Sequence, residues 1–335
     1  MATLEISFAH DQLEARKRRL QQAITLAPQN TALAALLREV DLALERMASG
    51  TYGICESCHD TIEQQRLLSD PLVRYCLDHL SGPQLEALQR DLDLAAQVQR
   101  NLLPQCDLRA GAWHTSYHYE PLGAVSGDYC DLIPSDGQLF FALGDVSGKG
   151  VAASLLMAQL HTLFRTLTAM NLSLGQIVTQ ANRVFCEAAL AGQYATLVVG
   201  MAKPTGEVEI HNAGHLPAIV VGKGGVLRIE STGLPLGMFC EVEFCGTRLQ
   251  TEPGDTLFLY TDGLSEARGA NGDQTDEDYG VDRIVKFLRQ NAIQPPAGLI
   301  SACLDDLRAF GAGTAPFDDL TVLAIQRAPA VPHPQ

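Results

Sequence analysis

The 335-residue chain is 46% hydrophobic and carries 39 acidic against 24 basic side chains, a net charge of −15. That is enough apolar sequence for at least one well-buried core and, on length, for two domains. The negative field works against DNA, RNA or anionic lipid, no run approaches the roughly 18 apolar residues of a membrane span, and residues 1–9 lack the order of a secretion signal, so a cytoplasmic protein with no nucleic-acid or membrane partner is expected.

Residues 4–26 and 31–47 carry helical stripes, with Leu13, Leu20 and Ile24 on the first and Leu33, Leu36, Leu37, Val40 and Leu44 on the second. Between them, Ala27-Pro28-Gln29-Asn30-Thr31 breaks one helix and caps the next, because proline cannot continue a helix and Asn or Thr accepts its free N–H groups. An antiparallel hairpin results, stopped by Gly50, and a compact Cys-bearing segment runs to about residue 80. Over residues 83–103 the helical pattern returns, with Leu85, Leu88, Leu92, Ala95, Gln99 and Leu102 at steps of three and four. This is either a coiled-coil seam that makes a homodimer, with Gln99 as its polar register position, or a helix packed on its own domain.

After Pro104 the character changes to short apolar runs divided by turn residues, which predict strands over 138–143, 196–202, 207–212, 217–221, 226–230, 256–260 and 321–326. The four runs from 196 to 230 read as a meander. Helices are predicted over 151–169, 174–189, 281–290 and 297–310. Strands in runs with helices in pairs indicate a layered α+β domain, not an alternating parallel one.

Nine cysteines are unevenly placed: Cys55, Cys58 and Cys76 cluster, and the other six are scattered as buried thiols would be. Cys55-x2-Cys58 is followed after 17 residues by Cys76-x2-His79, two chelating pairs that together supply the four donors of tetrahedral Zn²⁺. No open position is implied, so this is a structural zinc whose binding contributes to folding. With Gly50, Tyr52-Gly53, Ile62, Arg66-Leu67 and Pro71 around the ligands, and a helical hairpin before them, residues 1–82 resemble the DksA/TraR zinc-finger family. Two departures are visible. His79 stands where that family usually has a fourth Cys, and the hairpin tip at 26–30 has none of the acidic residues such proteins present inside RNA polymerase.

In the larger part, aspartates sit at strand ends or in glycine turns: Ser126-Gly127-Asp128, Gly144-Asp145-Val146-Ser147-Gly148-Lys149-Gly150, Tyr260-Thr261-Asp262-Gly263 and Phe317-Asp318-Asp319-Leu320. Acids converging at the mouth of a sheet disfavour one another's ionisation unless a divalent cation joins them, and oxygen-only donors favour Mg²⁺ or Mn²⁺. Residues 90–328 resemble the PPM-type metal-dependent serine/threonine phosphatases of the SpoIIE/RsbU branch. The likeness rests on Gln97-Val98-Gln99-Arg100-Asn101-Leu102-Leu103-Pro104, the four aspartate motifs, Asn212-Ala213-Gly214-His215-Leu216-Pro217 and Gly233-Leu234-Pro235-Leu236-Gly237, in the family's order.

The resemblance implies a layered α/β/β/α sandwich over 104–328, with 83–103 as linker and 329–335 as tail. It implies two Mn²⁺ or Mg²⁺ ions held by Asp128, Asp145, the Val146 carbonyl, Asp262 and Asp318, with Asp319 as an outer or additional ligand. The first, second, fourth and fifth of these are then the catalytic acids, supporting hydrolysis of phosphoserine or phosphothreonine by a metal-activated water. His215 is read as anchoring backbone groups, not as a general acid. The implied substrate is a phosphorylated STAS-type anti-anti-sigma protein, with activity set by the zinc module and linker. A reading of a different class makes the hairpin and zinc finger an RNA-polymerase-binding regulator with the phosphatase domain auxiliary.

Overall fold

The computed structural model describes residues 3–26, 29–79, 82–170, 172–190, 192–269, 278–311 and 318–328. The Ala27-Pro28 break, Phe317 and the tail 329–335 lie outside the described residues. The chain forms two compact units, residues 1–91 and 92–335.

In the first unit, helices α1 (Thr3–Leu26) and α2 (Thr31–Ala48) pack on each other. Leu13, Leu20, Val40 and Ala43 are buried between them, with Leu33, Leu36, Leu37 and Leu44 at the margin, as the two stripes require. The side chain of Asn30 accepts from the Leu33 N–H at 3.3 Å, which caps α2. Gly50, at φ +75°, ends it, and the N–H groups of Thr51 and Tyr52 return to the Arg46 carbonyl. A short helix α3 (Gln64–Ser69) follows, and α4 (Gly82–Leu102) runs on into the second unit.

The second unit holds two antiparallel sheets. Its elements in chain order are β1 (Asp107–Ala110), β2 (Trp113–Glu120), β3 (Asp128–Ser135), β4 (Gln138–Val146), α5 (Val151–Thr168), α6 (Leu174–Ala188), β5 (Ala195–Ala202), β6 (Glu207–Ala213), β7 (Ala218–Gly222), β8 (Gly225–Ile229), β9 (Thr247–Gln250), β10 (Thr256–Tyr260), α7 (Asp262–Ser265), α8 (Val281–Asn291), α9 (Pro296–Gly311) and β11 (Leu320–Arg327). One sheet has the order β1-β2-β11-β10-β7-β8 and the other β3-β4-β5-β6-β9.

Successive side chains of a strand point to opposite faces, and here both faces are buried. Phe141, Leu143, Leu257 and Leu259 point between the sheets with Trp113, Leu323 and Ile325. Their neighbours Phe140 and Ala142 turn outward to Leu160, Phe164 and Phe185 of α5 and α6. Phe258 and Tyr260 turn the other way, to Ile284, Leu288 and Leu299 of α8 and α9. Four layers follow, α/β/β/α, as expected.

The meander is corrected. β5 pairs with β6, and β7 with β8, but β6 and β7 belong to different sheets. The cause lies between them. Gly214 adopts φ +71° with no room for a Cβ, which would stand 2.4 Å from Pro235, and the chain there leaves one sheet for the other. β2, β3 and the short β1 and β9 were not anticipated. β2 pairs with β11 from the far end of the chain, a pairing no local pattern announces.

Candidate metal centres

At the zinc knuckle the local backbone does the assembling. Gly53 at φ +81° and His59 at φ +62° turn the chain so that the Cys55 N–H donates to the Asp60 carbonyl at 2.8 Å, closing the first chelate loop. A single 3-10 turn, Leu77–His79, closes the second, with the His79 N–H on the Cys76 carbonyl at 3.0 Å. The ligand atoms of Cys55, Cys58, Cys76 and His79 all lie within 4.8 Å of one another, with the His79 Nδ1 3.2 Å from the Cys76 sulfur. Burial pushes the Cys55 thiol up, but the backbone N–H groups of Cys58, Cys76 and Ser57 outweigh it and bring the thiol down, while burial and the neighbouring Cys55 and Cys58 push Cys76 up. Three sulfurs and one imidazole at this spacing fit zinc.

The acids of the second unit come from both sheets. Asp128 opens β3 and faces Asp145 across the β3–β4 ladder. Asp262 follows β10, and Asp318 and Asp319 precede its partner β11. Glycine makes the approach possible. A Cβ on Gly127 would stand 2.9 Å from the Val146 carbonyl oxygen and 3.1 Å from an Asp145 oxygen, and one on Gly263 would stand 2.1 Å from the Asp319 carbonyl.

Asp128 is 1% exposed, and its Oδ2 accepts from the Thr261 hydroxyl at 3.0 Å and from the Thr321 hydroxyl, so the β10–β11 sheet holds an acid of the other sheet. Burial, and then the charges of Asp145 and Asp319, push its carboxyl well above the usual range in spite of those bonds. Asp145 is pushed up to about 7, by burial and then by Asp262, Asp318 and Asp319. Asp262 is raised too, by burial and by Asp318. The nearest counter-charge is Lys149, whose ammonium donates to Asp318 at 2.9 Å. Among the described residues the aspartates do not form a ready cluster of ligand atoms like that of the zinc knuckle. An oxygen-only donor set with this much unbalanced charge fits a hard divalent cation. Asp128, Asp145, Asp262, Asp318 and the Val146 carbonyl are the groups that would hold it.

Asp319 is occupied differently. Its two oxygens accept from the Leu122 N–H at 2.7 Å, the Ser126 hydroxyl at 2.6 Å and the Gly127 N–H at 3.2 Å, fixing the loop that carries Asp128. The same loop is gripped from α4. The Gln99 side chain, 6% exposed, donates to the Ser126 carbonyl at 2.7 Å and accepts the Ser126 N–H at 3.0 Å. Gln99 is thus a clamp on its own domain and not a register position of a free seam. His215 is buried with both ring nitrogens engaged, by Thr196 Oγ1 at 2.9 Å and the Tyr260 carbonyl at 3.1 Å. Burial brings it down to about 4, so it is neutral and anchors strands, as expected. Ser147 likewise ties its loop to β5, through the Tyr194 carbonyl at 2.8 Å and the Tyr194 N–H at 2.9 Å.

Gln99, Thr261 and Thr321 were not singled out as site residues. Gln99 stood out only as a polar position on an apolar stripe, and for the two threonines the one signal was a hydroxyl beside or near an acid at a strand end. The same holds for Asp131 of β3, fully buried and gripped by Arg165 of α5 at 2.8 and 3.1 Å.

The family model for stage II sporulation protein E (SpoIIE) matches residues 135–328, and that for the prokaryotic dksA/traR C4-type zinc finger matches residues 50–78. The second match ends one residue short of His79, where this chain departs from the four-cysteine type. Protein IcfG of Synechocystis is 26% identical over 267 residues, 71% of this chain and 41% of that protein. Phosphoserine phosphatase RsbU of Bacillus subtilis is 24% identical over 220 residues, 64% of this chain and 66% of RsbU. The chain therefore spans between about two fifths and two thirds of these relatives. The solved SiaA-PP2C domain of Pseudomonas aeruginosa superposes with a TM-score of 0.64 at 18% identity, covering 74% of this chain and 99% of that domain. The second unit thus has the PP2C fold. Among the described residues no helix is long and apolar enough to cross a membrane.

Proposed function

Because the chain belongs to the SpoIIE family, we propose that it is a Mg²⁺- or Mn²⁺-dependent phosphatase that hydrolyses phosphoserine or phosphothreonine on a small regulatory protein of the STAS anti-anti-sigma kind. The observation that carries this reading is the convergence of Asp128, Asp145, Asp262 and Asp318 from two sheets, with Asp145 pushed up to about 7 and the Lys149 ammonium on Asp318. When bound, two divalent cations lower the pKa of a water nucleophile and offset the charge of the phosphoryl oxygens. The residues' own task is positional. Thr261 and Thr321 aim Asp128, Asp319 and Gln99 fix its loop, and the Ser147–Tyr194 pair fixes the loop after Asp145. His215 is neutral, its Nε2 proton donated to the Tyr260 carbonyl and its Nδ1 engaged by Thr196, so leaving-group protonation is assigned to water. The name of the RsbU relative, a phosphoserine phosphatase, supports the substrate chemistry.

The regulatory part of the reading rests on Gln99. Because it holds both backbone groups of Ser126, a shift of α4 is felt two residues away at Asp128, and the zinc-bearing unit is joined to the site through that helix. Leu85 and Leu88 on the earlier turns of α4 are 54% and 41% exposed, available for a dimer seam.

The test is an assay of Asp262→Ala with manganese on phosphorylated STAS proteins from the same genome. Turnover falls at least about 100-fold while the fold, followed by circular dichroism, persists. Undiminished turnover overturns the reading.

A further inference from the structure

Helix α6 rests on the segment that follows β8, and the contact is specific. Asn182 is fully buried, donates to the Phe239 carbonyl at 2.8 Å and the Cys240 carbonyl at 3.4 Å, and accepts the Gly237 N–H at 2.9 Å. Residues four apart on a helix share a face, so Cys186 lies one turn beyond Asn182 over the same segment. Its thiol sits beside that of Cys240, and its sulfur also meets the Gly237 N–H. Both cysteines are reduced, Cys240 exposed and Cys186 half-buried.

We propose that Cys186 and Cys240 are a dithiol pair that a hydroperoxide closes into a disulfide, fastening α6 to the Gly237–Cys240 segment. Exposure makes Cys240 the group the oxidant meets, whereas burial pushes the Cys186 thiol up to about 11 and keeps it protonated until a partner is formed beside it. The Cys240 thiolate takes the terminal oxygen of the hydroperoxide, giving a sulfenic acid and releasing an alcohol, or water when the oxidant is hydrogen peroxide. The Cys186 sulfur then attacks the Cys240 sulfur. The S–O bond breaks, and its oxygen leaves as water with the Cys186 proton. Two thiols are oxidised by two electrons, and one hydroperoxide is reduced.

The bond would stiffen the frame behind the Asp145 loop. Leu236, just before the fastened segment, exchanges backbone hydrogen bonds of 2.8 and 2.9 Å with Ala195. Ala195 pairs on its other side with Val146, and its neighbour Tyr194 holds Ser147. The cross-link is read by mass alone and stands or falls separately from the phosphatase reading, on which only an effect on turnover rests.

The full-length, zinc-loaded protein is titrated with hydrogen peroxide, alkylated, and mapped by non-reducing peptide mass spectrometry, beside Cys186→Ser and Cys240→Ser. The expected result is one cross-linked peptide pair joining Cys186 to Cys240 and lighter by two hydrogens, reversed by dithiothreitol. The unfolding temperature of the second unit rises by several degrees with it, and both changes are absent from either variant. Cys240 proceeding to sulfinic acid while Cys186 stays alkylatable overturns the proposal. So does a Cys240–Cys245 bond in its place.

Discussion

The zinc knuckle and the aspartate centre solve the same problem, gathering metal ligands, by opposite routes. The knuckle takes its four donors from two short turns, each a chelate closed by its own backbone hydrogen bonds, and the ligand atoms stand within 4.8 Å of one another. The aspartates arrive from the ends of strands in two sheets, repel each other, and are steadied by hydroxyls, backbone N–H groups and one lysine. Local chelation makes a site that folds with its metal. Convergence from two sheets makes a site whose scaffold stands by itself and whose charge awaits a cation.

The largest effect that tests the contrast is removal of zinc. Structural zinc in such fingers supplies on the order of 10 kcal/mol, so a chelator, or Cys58→Ser, should unfold residues 50–79. The second unit should stay folded. The chain's one tryptophan, Trp113, is buried there, so its fluorescence transition should not move while limited proteolysis opens the knuckle. A coincident loss of both would break the comparison.

Thr321→Val probes the other centre. It takes one hydroxyl from the buried Asp128 carboxyl, and losing a donor to a buried acid costs about 2 to 3 kcal/mol. Urea unfolding followed at Trp113 without added metal should show that loss, and an unchanged midpoint would mean that Thr261 suffices.

His215 gives a pH signature to the same scaffold. Its pKa is about 4 when folded against 6.5 for the free side chain, so below pH 6.5 the unfolded chain binds the proton more tightly. Stability contributed by the neutral ring is then complete above pH 6.5 and is lost as pH falls toward 4, about 2 kcal/mol of it by pH 5. His215→Gln should lack that pH-dependent loss between pH 7 and 5. Equal slopes for the two proteins would show that the ring is not held neutral.

The smallest effect concerns Lys149. Its ammonium sits on Asp318 with a side chain 61% exposed, an ion pair worth at most about 1 kcal/mol. Lys149→Gln should tighten manganese binding up to about five-fold in calorimetry, because a cation no longer competes for the carboxylate. Weaker binding would assign the lysine a supporting role instead.

Much of this was legible in the residues. Cys55, Cys58, Cys76 and His79 could be grouped because both chelates are local in sequence, and the Asp-Gly turns pointed to the acid set because glycine there leaves room for neighbouring backbone. The helical stripes of α1 and α2 and the positions of α5 and α6 followed from periodicity. The β5–β8 run did not, because a strand's alternation does not say which sheet it joins. Gln99 shows the limit on a single side chain. A polar residue on an apolar stripe reads as a coiled-coil register, and only the Ser126 backbone brought against it makes it a clamp.

The sequence by itself determined which groups carry the chemistry, and it determined the zinc site nearly outright, since every distance in a chelate of two intervening residues is set by one turn of backbone. Only the tertiary structure decided how β3–β4 meets β10–β11. That meeting puts Thr261 and Thr321 on Asp128 and Lys149 on Asp318, while the packing of α6 on the segment after β8 puts Cys186 beside Cys240. Those partners lie between 54 and 193 residues apart in the chain, and packing of both faces of both sheets, not any local propensity, brings them together.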